Sequence, residues 1–126
     1  MAATLAIVER AHRGTVEQQY AHVLWLAHAL HRQSPMTVLL RGMAAGYALD
    51  APSPGPLDLA GMEWGEYPDY RAALDRLTAD GARVLVSESS LAELGLTGRP
   101  LHPNVLTMRN AEYAAIVGAH DRIWFL

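Results

Sequence analysis

Five short apolar runs, separated by stretches of helical periodicity, constrain this chain more than any other feature. The runs are Leu5-Ala6-Ile7-Val8, Met36-Thr37-Val38-Leu39-Leu40, Arg83-Val84-Leu85-Val86-Ser87, Val105-Leu106-Thr107 and Arg122 to Leu126. The first is continuous rather than alternating, as expected of a strand covered on both faces. Strands that alternate with helices are the signature of a parallel sheet with crossover helices. The expectation is therefore a three-layer α/β fold built on a doubly wound, mostly parallel five-stranded sheet. No internal repeat is visible, and residues 1–126 read as one domain. A hydrophobic content of 51% is enough to fill one core.

The intervening segments supply the helices. The spacing predicts a helix over Val16 to Arg32, started by a capping box of Thr15 and Gln18. Its buried stripe is Val16, Tyr20, Val23, Leu24, Ala27 and His31. Ala44 to Leu49 is rich in small residues and reads as a short helix. A further helix is predicted over Asp69 to Ala79, with Tyr70, Ala73, Leu74 and Leu77 inward and Gly81 at its end. Ser90 and Glu93 make a capping box for a short helix ending near Gly95, and Asn110 to Val117 forms a helix closed by Gly118. Ala51 to Pro56 holds three prolines and a glycine and reads as a turn or loop. Leu57 to Tyr67 fits no regular element: it is either an irregular loop folded onto the domain or part of an interface. The closing Ile123-Trp124-Phe125-Leu126 is apolar enough to be expected as a buried strand.

Charge and composition exclude several functions. A net charge of −3 argues against a broad nucleic-acid-binding surface. The absence of cysteine excludes disulfides, cysteine–zinc sites, iron–sulfur ligation and a cysteine nucleophile. The beginning of the chain lacks a lysine- or arginine-led secretory segment. The longest apolar stretch, Ala21 to Leu30, is interrupted by His22 and His28 and falls short of the roughly 18–20 residues that span a bilayer. A cytoplasmic protein with no membrane contact is the expectation.

Doubly wound sheets place ligands outside the carboxyl ends of their strands. Four loops therefore carry the candidate site: Glu9–Gly14, Arg41–Gly46, Ser87–Ser90 and Thr107–Asn110. Ser87 can be read as a nucleophile with His12 as its general base, because a doubly wound order would set the first strand beside the third. No Gly-x-Ser-x-Gly elbow supports that reading. The alternative is that Ser87, Ser89 and Ser90 satisfy backbone donors at a helix start. The same helix start, with Arg13, Arg41 and Arg109 on neighbouring loops, offers positive charge to a small anionic ligand, and Glu88 opposes it. The candidate ligand-binding set is His12, Arg13, Arg41, Gly42, Ser87, Glu88, Ser89, Ser90 and Arg109.

Other signals are weaker. His28 and His31 are spaced at i, i+3, but His22 cannot share their face, and no His-Glu-x-x-His arrangement exists, so no metal is expected. His31 reads as a core or interface histidine, and His102 and His120 lie in loops or near a helix end, where His120 would favour the helix C-terminus. No Gly-x-Gly-x-x-Gly follows the first strand and no phosphate loop is present, so no cofactor is expected. Trp64, Tyr67 and Tyr70 can stack on a ligand, or serve as core or subunit contacts.

One segment carries a resemblance. Val84-Leu85-Val86-Ser87-Glu88-Ser89-Ser90-Leu91-Ala92-Glu93-Leu94-Gly95-Leu96 is similar to the region of the DsrE/DsrF-like family where an apolar strand leads into a cysteine, a short linker and a helix ending in Gly-Leu. That family includes the sulfur-relay subunits of the TusBCD type. Gly14 to Leu30 is similar to its first helix, Val38 to Met43 to its second strand and glycine turn, and Ala114 to Leu126 to its last helix and strand. The resemblance implies a DsrE-like fold and assembly as a trimer or hexamer, with itself or with paralogous subunits. It also places Ser87 where sulfur-transferring members carry the persulfide-forming cysteine, and Ser90 near a second cysteine of some members. A hydroxyl cannot hold sulfane sulfur. What the resemblance then implies is a non-catalytic ligand-binding or accessory protein. The alternatives are an enzyme of another class using Ser87 with His12 or Glu88, and a structural partner of a cysteine-bearing paralogue.

Overall fold

Each of the five apolar runs is a strand of one sheet. The structure, a computed structural model, describes residues 3–9, 23–51, 57–64 and 70–126. In chain order its elements are β1 (Thr4–Val8), α1 (Val23–His31), β2 (Met36–Leu40), a 3-10 turn (Gly42–Ala48), β3 (Leu57–Leu59), β4 (Met62–Trp64) and α2 (Tyr70–Ala79). There follow β5 (Arg83–Ser87), α3 (Glu88–Glu93), β6 (Val105–Met108), α4 (Asn110–Gly118) and β7 (Arg122–Phe125). The sheet runs β6-β5-β2-β1-β7, and every pairing in it is parallel. The antiparallel component lies apart, as the β3–β4 hairpin.

Among the described residues, the two faces of the sheet are filled unequally. Ala6, Val8, Val38, Leu40, Val84 and Val86 face the larger core, against Leu24 and Ala27 of α1, Leu74 and Leu77 of α2, Leu91 of α3, and the alanines of the 3-10 turn. Full burial of a leucine or valine stabilises by roughly 1.5–3 kcal/mol, so this face dominates the favourable side of folding. Leu5, Ile7, Leu39, Leu85 and Met108 face the other way, and among the described residues they are packed against Tyr113, Ile116 and Val117 of α4 and Ile123 of β7. Helices thus cover both faces, as a doubly wound fold requires.

Several sequence expectations change. The described part of the first helix, Val23–His31, falls within the expected Val16 to Arg32, with Leu24 and Ala27 buried as expected. Thr15, Val16, Gln18 and Tyr20 lie outside the described residues. Ala44 to Leu49 falls largely in the 3-10 turn, and Leu57 to Tyr67 contains the β3–β4 hairpin instead of an irregular loop. The hairpin turn is Ala60-Gly61, with φ of 53° and 80°. Positive φ at both central residues is the pattern of a type I′ turn, whose twist suits the flanking strands. Tyr70 stacks on Tyr47 with ring centroids 5.0 Å apart, a contact within the core. Tyr67 lies outside the described residues.

The closing strand is not buried as expected. Among the described residues β7 pairs with β1 alone, at the edge of the sheet. Phe125 is 69% exposed and Trp124 37%.

Two histidine contacts lock elements together. His102 is buried and its Nε2 lies 2.5 Å from Asp75 Oδ1, joining the loop before β6 to α2. His28 meets Asp80 at 2.5 Å, which joins α1 to the end of α2.

Candidate functional site

The carboxyl edge of the sheet is organised by three serines. β5 ends at Ser87 and α3 begins at the next residue, so strand and helix share that residue as their junction. Ser87 has extended backbone angles and its Oγ accepts the Ser90 N–H at 3.3 Å, satisfying one of the donors a helix start leaves free. The Ser87 and Ser89 hydroxyls are 3.1 Å apart, and Ser89 Oγ donates to Asn110 Oδ1 at 2.8 Å. Each hydroxyl has one proton to give. Since the Ser89 proton goes to Asn110, the Ser87 proton goes to Ser89. The result is a one-way chain, Ser90 N–H to Ser87 to Ser89 to the Asn110 carboxamide, in which each bond polarises the next.

This chain decides what Ser87 can do. Its side chain is buried, with 1% exposure, and its proton runs toward a neutral amide oxygen. Among the described residues no imidazole or carboxylate accepts it. Activation of a serine requires a base at that proton. The expected capping box of Ser90 and Glu93 is replaced: Ser87 is the cap, three residues earlier, because its hydroxyl reaches the Ser90 N–H, and Glu93 is the last residue of α3. Ser90 turns its own hydroxyl outward from the helix to accept the Gly42 N–H at 2.9 Å. Gly42 has a φ of +55°, and a Cβ there would stand 3.3 Å from the Glu9 carbonyl oxygen. The positive φ favours glycine, and the tight approach to Glu9 adds to that preference.

Glu88, Ser89, Ala92, Arg109 and Asn110 line a shallow depression of about 250 Å3 above this chain. Arg109 is mostly exposed and its Nε donates to Glu112 Oε1 at 2.8 Å, which holds the Glu112 carboxyl below its ordinary range and raises the guanidinium. Glu112 also reaches back to the Arg109 N–H at 3.4 Å, capping α4. Arg41 sits elsewhere on the edge. It contacts Glu9 at 3.3 Å and donates to the Tyr113 hydroxyl at 3.1 Å, with its guanidinium 4.6 Å from the centre of the Tyr113 ring.

The structure thus brings Ser87, Ser89, Ser90 and Gly42 into one hydrogen-bonded unit and places Glu88 and Arg109 on the adjoining depression. Arg41 is engaged with Glu9 and Tyr113 instead. His12 and Arg13 lie outside the described residues. The expectation that the first strand adjoins the third is corrected: β2 lies between β1 and β5, pairing with both. Two strand spacings, about 10 Å, therefore separate the β1 end from Ser87. Asn110, Tyr113 and Glu9 were not among the expected site residues. Asn110 and Glu9 each had a signal, as ends of two of the four strand-end loops, and Tyr113 had none.

No protein-family model and no curated protein matches the chain. Among solved structures it is similar to the ychN protein from E. coli, over 100% of both chains, with a TM-score of 0.78 and 21% sequence identity. The chain has the ychN fold. The likeness to ychN extends from end to end, so the five-stranded sheet and its covering helices belong to the shared arrangement, which is the DsrE-like fold that the resemblance implies. On this ychN-like frame Ser87 closes β5, the strand between β6 and β2, and with no cysteine in the chain no thiolate can form there.

Proposed function

We propose that this chain is a member of the DsrE/DsrF-like group that acts as a non-catalytic accessory or small-ligand-binding protein, assembled as a trimer or hexamer in the cytoplasm. One observation carries the reading: the Ser87 hydroxyl, at the position where the resembling family carries its sulfur-bearing cysteine, is spent as a helix cap and as a donor to Ser89. A side chain so engaged serves the architecture of the edge. The depression beside it, with Ser89, Asn110 and Arg109 as polar walls, is the place for a small ligand. The end-to-end likeness to ychN supports the fold on which this role rests.

Two measurements on the purified chain test the proposal together. Native mass spectrometry should give a trimer or hexamer. Treatment with a fluorophosphonate, which labels activated serines, should leave Ser87 unmodified. A monomer overturns the assembly, and an adduct on Ser87 overturns the non-catalytic reading.

A further inference from the structure

A second cavity opens at the opposite edge of the sheet, beneath the amino-terminal ends of β1, β2 and β5, with a volume of about 340 Å3. That size falls within the range of small-molecule sites. Its polar walls are Thr4, His31, Thr37, Arg83 and His120, its apolar walls include Pro35 and Met36, and among the described residues no carboxylate lines it. Thr37 and Arg83 are direct partners across the β2–β5 pair, so their side chains rise side by side from the same face.

The engagements of these groups differ. His31 is fixed as wall: its Nδ1 accepts the Met36 N–H at 3.1 Å, so its Nε2 carries the proton and donates to the Asp80 carbonyl at 2.9 Å. His120 donates from Nδ1 to the Ile116 carbonyl at 2.7 Å, which aims Nε2 at the Thr37 hydroxyl, 3.0 Å away. Arg83 makes no side-chain hydrogen bond or ion pair with another described residue. The carboxylate that feels its charge, Glu112, is already paired with Arg109. A guanidinium without a partner among the described residues, in a hollow shared with a hydroxyl and an imidazole and lined by no described acid, matches one kind of ligand. Its planar fork fits a carboxylate, and the proline and methionine walls fit a short carbon body.

We propose that this amino-edge cavity binds a small organic carboxylate, held by Arg83, with Thr37 and His120 completing the polar wall and Pro35 and Met36 covering the carbon chain. The site is separate from the depression beside Ser89, at the other end of the strands. The test titrates butyrate, and inorganic phosphate in parallel, into the 15N-labelled full chain and follows the backbone amide signals. Butyrate should shift Thr37, Arg83 and His120 saturably. Arg83→Gln should weaken binding by about tenfold or more, as expected on losing one charge-assisted pair, and Thr37→Val should weaken it less. Arg99→Gln, an exposed charge change elsewhere, should leave it unchanged. Absence of saturable shifts at these residues, shifts confined to Ser89, Arg109 and Asn110, or butyrate affinity unaltered in Arg83→Gln overturns the proposal. Phosphate binding there as tightly as butyrate overturns its choice of ligand.

Discussion

Ser90 Oγ accepts the Gly42 N–H at 2.9 Å, and this one bond ties the first turn of α3 to the turn that follows β2. The donor and acceptor are 48 residues apart, so the bond fixes tertiary structure. Ser90→Ala would strand the Gly42 N–H, and leaving a partly buried donor unpaired costs about 1–3 kcal/mol. Gly42→Ala adds strain at positive φ and a close approach to Glu9, so it should cost at least about 1 kcal/mol. Urea denaturation of the two variants and of their double mutant would check both values. Because the two residues are in contact, their effects should not add.

Ser87 should behave as a cap. Ser87→Ala removes the acceptor of the Ser90 N–H and should lower stability by about 0.5–2 kcal/mol, read as a lower denaturation midpoint with an unchanged slope. Ser87→Cys keeps a side chain of similar shape and should fold, placing one thiol at the end of β5. Intact mass after exposure to a low-molecular-weight persulfide should then show a one-sulfur gain in the cysteine variant alone. A variant that folds and takes up no sulfur would show that the serine network, and not just the missing thiol, shuts the relay chemistry out.

Asp80 gives a pH dependence of defined sign. Its carboxyl is held below the ordinary aspartate range, chiefly by the hydrogen bond with His28; desolvation opposes this, and the charges of His28, Arg32 and His31 add to it. A carboxyl whose pKa is lower folded than unfolded contributes stability that is complete above the unfolded value, about 4, and is lost as pH falls through the folded value. Asp80→Asn should therefore be less stable than the parent at about pH 6, and the gap should close as the solution is taken toward about pH 2. A gap that widens in acid would reverse the assignment.

Ala60 is the non-glycine residue at positive φ among the described residues. Left-handed backbone costs an ordinary residue about 1–2 kcal/mol, and asparagine tolerates it better. Ala60→Asn creates Asn-Gly, the preferred pair for this turn, and should raise the thermal midpoint through a gain of about 0.5–1 kcal/mol.

The sequence carried the strands well and their arrangement poorly, for physical reasons. Arg83–Ser87 was legible to the residue, since an apolar run bounded by Gly81 and by serines leaves a strand little freedom in its limits. Strand order is set by tertiary packing, which no local pattern records, so β2 between β1 and β5 came only from the structure. The β3–β4 hairpin escaped because Ala-Gly lacks the strong turn chemistry of Asn-Gly. Ser87 as a helix start was legible in its residue type. Its proton path to Asn110 was not, because the two residues are 23 positions apart and meet only when β5 and β6 pair. The amino-edge cavity had no signal at all. It joins ends of α1 and α4 to the beginnings of three strands, and its histidines read separately, His31 as a core or interface residue and His120 as a helix-end residue.

The unequal filling of the two sheet faces among the described residues sets an order of local opening. α4 has no fully buried residue, and β7 holds the sheet by one neighbour, whereas β2 and β5 are locked between strands and beneath three helices. Regions with few buried contacts open at a fraction of the global free energy. Amide protons of α4 and β7 should therefore exchange with solvent well before those of β2 and β5. Partial unfolding would first bare Leu5, Ile7, Leu39 and Leu85 on one side, leaving the opposite layer intact.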